Sequence, residues 1–386
     1  MSRHSWINAQ DLQEIRINAR LNNIIFIIII LYINNTKTNN KYLSYNRKYI
    51  NMPPRISVLI PVYGVEKYIR KCLISLFSNT IASDCEFIIV NDCTKDNSMK
   101  IIEDIITDYS FLKIKVINHE TNLGLAAARN TGLKNASGKY IICCDSDDWV
   151  EKNYLEELYN EAEKVNADIT GCDWIEEINN SSIYSNHNLS LNAEENFENF
   201  LKCQVHGYVW AKLIKHSLFT ENNFEWIEGI NNWEDECISL KLFSVAKKIA
   251  YVKKPLYHYI CRPSSYIHSL LNEKTSNEFL NAISAMENYL NCKNFEQYKN
   301  LINYKKIHVK QHLLLCGTKV LQNKYIKLWP EIYPFLAKDS TLSFRGKLIL
   351  KTAKLCPLIS KILLFLLSFL RITIRKRYTW KQYLAK

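Results

Sequence analysis

Short apolar runs alternate with segments of helical spacing from Ile56 onward, and this alternation is the clearest pattern in the chain. Strands are predicted at Ile56–Val62, which reads as buried, Glu86–Val90, Lys113–Ile117, which alternates, and Lys139–Cys144. Helices are predicted at Glu66–Ser78, Met99–Ile106 and Leu125–Lys134. Strands and helices that alternate in this way favour a parallel sheet with right-handed crossovers. Ligands of such sheets bind beyond the carboxyl ends of the strands, so functional side chains are expected there.

The pattern changes after the fourth predicted strand. A further helix is predicted at Tyr154–Val165 and a strand at Asp168–Trp174, after which the chain is aromatic and irregular to about Tyr266. Residues 275–325 again have helical spacing. We therefore expect an α/β catalytic domain over residues 52–265, a helical C-terminal region over 266–339 and a separate tail over 340–386.

The first 51 residues differ in composition from the rest of the chain. They hold a ten-residue apolar run, Ile24–Ile33, in Asn-rich surroundings. A run of this length is too short to cross a bilayer. We expect translation to start at Met52, with residues 1–51 lying before the true start. An interfacial anchor is the alternative.

Positive charge is concentrated at the two ends of this 386-residue chain. The net charge is +12, yet residues 340–386 carry 11 Lys and Arg and no Asp or Glu, and residues 1–55 carry 8 basic and 2 acidic residues. The middle of the chain is therefore mildly acidic, which argues against a nucleic-acid partner. The 12 cysteines form no C-x-x-C pair, so a zinc signature is excluded and a reducing, cytoplasmic location is expected.

The tail combines apolar and basic residues. Leu355–Leu370 is apolar but interrupted by Pro357 and Lys361, and Arg371–Arg377 is basic. Such a segment lies on a membrane surface more readily than it spans the bilayer. We expect a peripheral position on the inner face of the cell membrane. A helix packed on the protein's own body is the alternative.

Carboxylates follow the second and fourth predicted strands. Asp92 comes after the second, and Asp145-Ser146-Asp147-Asp148 comes after the fourth. Three carboxylates in four residues repel one another, and a divalent cation offsets that repulsion. Hard oxygen ligands suit Mg²⁺ or Mn²⁺, which also bind phosphate oxygens. The alternative is that Asp147 or Asp148 only caps the following helix.

A second acidic group lies downstream, in Asn232-Trp233-Glu234-Asp235-Glu236. It stands directly before a predicted helix at Cys237–Phe243. Beside a separate metal cluster, these acids can supply a general base for a substrate hydroxyl. The alternative is that they only favour the helix N-terminus.

Five motifs together resemble glycosyltransferase family 2. They are Ile56–Tyr63, Val90–Asp96, Asn122–Gly132, Gly138–Trp149 and Trp233–Asp235, within residues 55–265 and in the family's order and spacing. The resemblance implies a GT-A fold, an α/β sheet that binds a nucleotide sugar and carries flanking helices. It also implies an inverting enzyme that transfers a sugar from a nucleotide diphosphate sugar to an acceptor hydroxyl.

The resemblance also implies roles for individual residues. Nucleotide-sugar binding is expected at Pro61, Val62, Tyr63, Glu66, Asp92, Arg129, Asp145, Asp148 and Arg262. Asp147 and Asp145 are the expected ligands of Mn²⁺ or Mg²⁺. Asp235 is the expected catalytic base, and Glu234 is expected to orient the acceptor.

Two positions depart from the family pattern. Asn91 stands where an Asp is common, and Cys93 stands where a Gly is common, so Asp92 is expected to contact the nucleotide base alone. For Arg129 the alternative to a place near the nucleotide is a solvated helical arginine.

Three further residues are candidates for the site, and two of them have a second reading. His258 is expected at the diphosphate, with Arg262, or else in the core. Trp210 and Lys212 lie where family members form the acceptor wall, and a core position is the alternative for Trp210.

We therefore expect metal-assisted single displacement from a UDP-sugar to a glycan or lipid-linked glycan, in bacterial cell-surface polysaccharide synthesis. A sugar-phosphate nucleotidyltransferase needs a Gly-rich loop with an Arg after the first strand, and Val62–Glu66 has one Gly and no Arg. The other alternative is a non-catalytic carbohydrate- or membrane-binding protein, which would not hydrolyse a nucleotide sugar.

Overall fold

The computed structural model describes residues 53–178, 181–261, 271–355 and 358–364. The chain begins with β1 (Ile56–Val62), α1 (Ile69–Phe77), β2 (Cys85–Asn91), α2 (Ser98–Asp108), β3 (Lys113–Asn118), α3 (Leu125–Lys134), β4 (Tyr140–Cys143), β5 (Trp149–Val150) and α4 (Tyr154–Val165). It continues with β6 (Ile169–Ile178), β7 (Ser181–Ser185), α5 (Ala193–Leu201), β8 (Lys212–Lys215), α6 (His216–Asn222), α7 (Glu234–Val245) and β9 (Ile249–Ile260). Helices α8 (Glu273–Cys292), α9 (Glu296–Lys299), α10 (Ile302–Cys316), α11 (Lys319–Tyr325), α12 (Tyr333–Leu336) and α13 (Phe344–Leu355) follow. The predicted start at Met52 and the extension 1–51 lie outside the described residues.

The described strands form one nine-stranded sheet in the order β3-β2-β1-β4-β8-β6-β9-β5, with β7 paired to β6. Strands β3, β2, β1 and β4 are parallel, as predicted. Beyond β4 the sheet is mixed, because β8 runs antiparallel to both β4 and β6. Since β1, β2 and β4 are parallel neighbours, their carboxyl ends open onto the same edge of the sheet.

The region after Trp174 differs from its prediction. Apart from the helix predicted at Cys237–Phe243, which is present within α7, the region is predicted to be irregular, but it contains β7, β8, β9, α5 and α6. Strand β8 has only four residues, and β9 passes through Lys253-Lys254-Pro255 opposite a bulge at Asp173. Neither strand therefore shows the regular alternation on which a sequence-based prediction depends.

Helices cover both faces of the sheet. Ile56, Val58 and Ile60 of β1 pack toward α1 and α4, while Leu59 of the same strand packs toward α3 and α7. This division follows from the two-residue period of a strand. It explains why the first strands read as continuous apolar runs, since both of their faces are buried.

The helical region after residue 266 is present, and the core continues across the predicted boundary at 265. Ala282, Met286 and Leu290 of α8 belong to the same apolar cluster as α7. A smaller cluster joins α10 to Ile349 and Leu350 of α13. Within the ranges described above, no helix is both long and apolar enough to cross a membrane.

Candidate active site

The loops that follow β1 and β2 are tied together at the carboxyl edge of the sheet. The backbone N–H of Gly64 donates to Thr94 Oγ1 at 2.8 Å, and that of Glu66 donates to Asp96 Oδ2 at 2.9 Å. The Glu66 carboxylate accepts from the backbone N–H of Asn97 at 3.0 Å. These contacts fix the shape of the edge, and they give Glu66 a protein partner beside its expected nucleotide contact.

Only one of the three residues predicted to line the nucleotide after β1 presents its side chain to solvent. Tyr63 is 54% exposed, whereas Pro61 and Val62 are buried within the sheet. The prediction is therefore corrected for the side chains of Pro61 and Val62, because both belong to a strand that is covered on both faces.

Asp92 is also buried, and its carboxylate has three protein donors. Oδ1 accepts from the backbone N–H of Leu123 and lies 2.8 Å from His119 Nδ1, while Oδ2 accepts from the N–H of Gly124 at 2.8 Å. Gly124 has φ +93° and meets the Asn231 side chain, so no other residue fits this position without strain. Asp92 thus holds the loop before α3, and its contact with a nucleotide base stays a prediction.

The acidic group after β4 forms a tight turn that separates its three carboxylates. The N–H of Asp148 donates to the carbonyl of Asp145 at 3.0 Å, which places Asp145 and Asp147 at the partly exposed edge. Asp148 is 1% exposed and accepts from the Tyr257 hydroxyl at 2.7 Å and the Ile260 N–H at 2.8 Å. Burial, together with the charges of Asp147 and Asp145, raises the pKa of Asp148 well above its usual range.

The turn leaves two carboxylates, not three, for a metal ion. In the described parts of the chain, no group of three or more His, Cys, Asp or Glu side chains could hold a metal. Asp148 is bonded inside the fold, so only Asp145 and Asp147 of the three clustered carboxylates are left for the predicted cation. Asp145 and Asp147 still fit Mg²⁺ or Mn²⁺, which bind through one or two carboxylates together with substrate phosphates.

Arg129 joins this turn to the second acidic group. Its guanidinium lies 2.9 Å from Asp145 Oδ1, 2.8 Å from Glu234 Oε1 and 2.5 Å from Asp235 Oδ1. Only 1% of the arginine is exposed, so the alternative of a solvated helical arginine is wrong. Its position on α3 brings the carboxyl end of β4 and the first turn of α7 to one point.

Burial controls the electrostatics of this cluster. It raises the pKa of Glu234, as does the charge of Asp235, and it raises the pKa of Asp235 to about 6 against the opposing charge of Arg129. The three carboxylates outweigh burial at Arg129 and raise its pKa well above the usual range. A carboxylate with a pKa just below neutral pH is suited to accept a proton from a hydroxyl. Glu234, Asp235 and Glu236 also lie in the first turn of α7, so the preference of acidic residues for a helix N-terminus holds as well.

The remaining predicted residues lie in the core or outside the described residues. His258 is buried between Glu151 and Glu177 and stacks on Trp149 at a ring distance of 3.5 Å, so its core alternative is confirmed. Trp210 and Lys212 are buried as well, which is the core position given as the alternative for Trp210, and the acceptor wall stays a prediction. Arg262 lies outside the described residues.

Sequence reasoning missed a segment beside Asp235. The backbone N–H of Val209 donates to Asp235 Oδ2 at 3.4 Å, and that of Gly207 donates to Glu236 Oε1 at 3.3 Å. Glu236 in turn pairs with Lys305 of α10. The third acid of the Glu-Asp-Glu run was a signal for this contact, but nothing in the sequence pairs it with Lys305.

Comparison with known proteins assigns the chain to a family. The family model described as "Glycosyl transferase family 2" matches residues 57–220. The chain is 35% identical over 221 residues to the uncharacterized glycosyltransferase EpsJ of Bacillus subtilis, which covers 55% of this chain and 63% of EpsJ. It is 30% identical over 278 residues to the cholesterol galactosyltransferase of Borreliella burgdorferi, which covers 66% of this chain and 76% of that protein. The chain thus spans less than two thirds of the length of EpsJ.

A solved structure has a similar fold. It is that of S. aureus TarS 1-349 in complex with UDP-GlcNAc, with a TM-score of 0.60 and 19% identity over 80% of this chain and 89% of that one. Identity at this level speaks for the fold alone. The predicted α/β fold of the GT-A type, with a helical C-terminal region, is confirmed.

Proposed function

The chain belongs to glycosyl transferase family 2, and from that premise we propose that it transfers a sugar from a nucleotide diphosphate sugar to an acceptor hydroxyl, with inversion of the anomeric centre. The observation that carries this proposal is the Arg129 cluster. The guanidinium of Arg129 contacts both Asp145, on the side expected to bind the donor, and Asp235, the proposed base.

Asp235 accepts the proton of the acceptor hydroxyl in the proposed reaction. Its raised pKa makes it basic enough for this step while it stays mainly ionised at neutral pH. Arg129 keeps Asp235 oriented, and Glu234 shares the same guanidinium nitrogen. Attack from the face opposite the leaving diphosphate inverts the anomeric centre in a single step.

Asp145 and Asp147 are the proposed ligands of Mg²⁺ or Mn²⁺. Such an ion, when bound, supplies Lewis-acid stabilisation of the charge that develops on the diphosphate. Asp148 has a different role in this proposal. Through Tyr257 and Ile260 it fixes the turn that aims the other two carboxylates at the edge of the sheet.

A UDP-sugar is the proposed donor and a glycan or lipid-linked glycan the proposed acceptor, as in bacterial cell-surface polysaccharide synthesis. The similar TarS structure holds UDP-GlcNAc, which supports a uridine nucleotide. The name of the Borreliella relative gives a lipid, cholesterol, as its acceptor. An acceptor with a lipid part is also consistent with the surface of α13.

Helix α13 and residues 358–364 present two apolar faces. Ile349, Leu350 and Ala353 pack on the body, which supports the alternative of a packed helix. The outward face carries the exposed side chains Phe344, Leu348, Leu355, Leu358, Ile359 and Ile362 beside Lys351, Lys354 and Lys361. We propose that this outward face binds the anionic inner surface of the cell membrane, where each basic residue contributes about 1 kcal/mol. The rest of the predicted tail lies outside the described residues.

Vesicle binding tests the membrane proposal. The wild-type protein should sediment with vesicles of phosphatidylcholine and phosphatidylglycerol but not with phosphatidylcholine alone. Leu348→Glu combined with Leu355→Glu should abolish this, while Val320→Glu, which changes an exposed apolar residue on α11, should not. Equal sedimentation of the two variants would contradict the proposal.

Thermal shift and turnover test the enzymatic proposal. UDP-, GDP- and dTDP-sugars are added with Mn²⁺, and we expect UDP-sugars to stabilise the protein most. The stabilising UDP-sugar should then be hydrolysed slowly, and faster when an octyl glycoside acceptor is present. Stabilisation without any turnover would favour a carbohydrate-binding protein. Consumption of added pyrophosphate, with release of UTP and a sugar 1-phosphate from the UDP-sugar, would favour a nucleotidyltransferase.

A further inference from the structure

The segment 206–209 lies beside Asp235, and its backbone is bound on both sides by side chains. Its N–H groups donate to Glu236 and Asp235, as described above. Its carbonyl groups accept from Lys212 and Ser239: Lys212 Nζ is 2.9 Å from His206 O, and Ser239 Oγ is 2.6 Å from Gly207 O. A short segment with its peptide groups bound in this way has little freedom to move.

Gly207 marks the closest approach of this segment to α7. A Cβ atom at this position would lie 2.7 Å from the carboxyl carbon of Glu236, which is too close for any side chain. The position of Gly207 is therefore set by where the Glu236 carboxylate stands.

Lys305 fixes the position of the Glu236 carboxylate. This lysine is only 2% exposed, and its Nζ lies 2.5 Å from Glu236 Oε2 and 3.7 Å from the centre of the Phe200 ring. A buried ion pair contributes less to net stability than to a defined geometry, because either partner left alone carries an uncompensated charge. Lys305 belongs to α10, so a helix of the C-terminal region reaches the site through one carboxylate.

The segment carries two stacked rings. Val205, Gly207 and Val209 are buried, whereas the side chain of His206 is exposed and that of Tyr208 is half-buried. The two rings are stacked at 5.1 Å with an angle of 6° between planes, and Tyr208 stacks on Trp210 at 4.7 Å. The exposed His206 ring at the end of this stack, next to a base, is suited to the apolar face of a sugar, with the half-buried Tyr208 beside it.

We propose that Lys305 is a positioning residue for the acceptor side of the site. Through Glu236 it holds segment 206–209 against Asp235, and the rings of His206 and Tyr208 receive the acceptor. The role of the rings rests on the proposed glycosyltransferase function, whereas the positioning of the segment does not.

Lys306 provides a matched control. It is the next residue of α10 and is 7% exposed, and its Nζ lies 2.7 Å from Glu287 and 2.8 Å from Glu331. Lys305→Met and Lys306→Met therefore each remove one buried, paired charge from the same helix. Only the first removes a partner of Glu236.

Hydrogen–deuterium exchange tests the positioning without any substrate. Lys305→Met should speed exchange of the Gly207 and Val209 amides by about tenfold or more, while Lys306→Met leaves them at the wild-type rate. Lys305→Arg, which keeps the charge, should restore slow exchange. If Lys305→Met does not fold, Lys305→Gln takes its place. Equal exchange of these amides in the Lys305 and Lys306 variants would overturn the proposal.

Transfer kinetics test the role of the rings. With UDP-GlcNAc or UDP-galactose as donor and octyl β-glucoside as acceptor, Lys305→Met should raise the acceptor KM by about tenfold, while Lys306→Met leaves it at the wild-type value. Faster amide exchange with an unchanged acceptor KM would overturn the acceptor assignment. A wild-type protein that turns over no UDP-sugar would contradict the proposed function, and the exchange data alone would then decide on the positioning.

Discussion

The two sides of the candidate site are built in different ways. On the nucleotide side, which comprises the loops after β1 and β2, neighbouring segments bind one another through hydrogen bonds such as Gly64 to Thr94. On the base side, which comprises Arg129, the start of α7 and segment 206–209, Arg129 pairs with Glu234, 105 residues further along the chain.

This difference determines how each side should respond to mutation. Hydrogen bonds between partly exposed loop residues contribute about 1 kcal/mol each, and water can replace a lost partner. Buried ion pairs leave an uncompensated charge when one partner is removed. A single substitution on the base side should therefore destabilise the protein strongly, whereas a single substitution on the nucleotide side should destabilise it only slightly.

Loss of Arg129 should have the largest effect. Arg129→Met leaves three acidic side chains around a buried, uncharged position, so we expect the free energy of unfolding to fall by about 3–5 kcal/mol. Denaturant unfolding measures it, with the exposed Arg70→Met as control. Because protonation of Asp235 relieves the repulsion, the loss should be smaller at pH 5 than at pH 8. A loss that does not change with pH would contradict the charge argument.

The pH dependence of transfer should report on Asp235. As the base, Asp235 works in its deprotonated form, and its pKa is raised to about 6. The rate of transfer at saturating substrate should therefore be flat above pH 6 and fall by about tenfold per pH unit below it. Measurements between pH 4.5 and 8 check this. A rate that stays constant down to pH 5 would mean that another group accepts the proton.

Gly124, in the loop after β3, probes the nucleotide side through its hydrogen bond to Asp92 of the loop after β2. Gly124→Ala places a Cβ against Asn231 at a residue with φ +93°, and we expect a loss of stability of about 1–3 kcal/mol. Because the N–H of Gly124 is one of three donors to Asp92, UDP binding should weaken only moderately. Calorimetric titration with UDP checks this. Complete loss of UDP binding would show that this side depends on single contacts as strongly as the base side does.

Substitution of His308 should have the smallest effect, which is on thermal stability. Burial alone would lower the pKa of His308, but Asp339 and Cys203 outweigh it and raise the pKa to about 9. Since this lies above the value of about 6.5 in the unfolded chain, the protonated ring stabilises the fold below pH 6.5, and that contribution is lost as the pH rises toward 9. Wild type should therefore melt a few degrees above His308→Gln at pH 6 and equally at pH 9.5. A difference independent of pH would rule out this account.

The contrast between the two sides also explains which parts of the fold and of the site can be predicted from the sequence. The strands and helices from β1 to α4 follow simple periodicity, and Leu125–Lys134 and Tyr154–Val165 match their predicted ends. The acidic motifs are visible because each follows a strand or begins a helix. The ion pairs through which Arg129 connects these motifs are not visible in the sequence, since a buried arginine in an Ala-rich helix has the same sequence context as a solvated one.

Two further features could not be predicted for a related reason. Asp148 looks identical to Asp147 in the sequence, and only the turn after β4 sends one inward and the other to the edge. Lys305 lies in a predicted helix, where a lysine is ordinarily solvated. Both depend on tertiary contacts that no local pattern encodes.

The central claim is that Asp145 and Asp147 bind the donor with a metal, while Asp235 accepts the proton. Calorimetric titration with UDP-GlcNAc and Mn²⁺, combined with the rate of transfer to an octyl glycoside, separates these roles in Asp147→Asn, Asp235→Asn and Glu234→Gln. Asp147→Asn should weaken donor binding and transfer together. Asp235→Asn should bind the donor almost as wild type does, yet lose transfer by about 10²-fold or more, and Glu234→Gln should lose less. Transfer by Asp235→Asn at a near wild-type rate, or loss of its donor binding, would contradict the account.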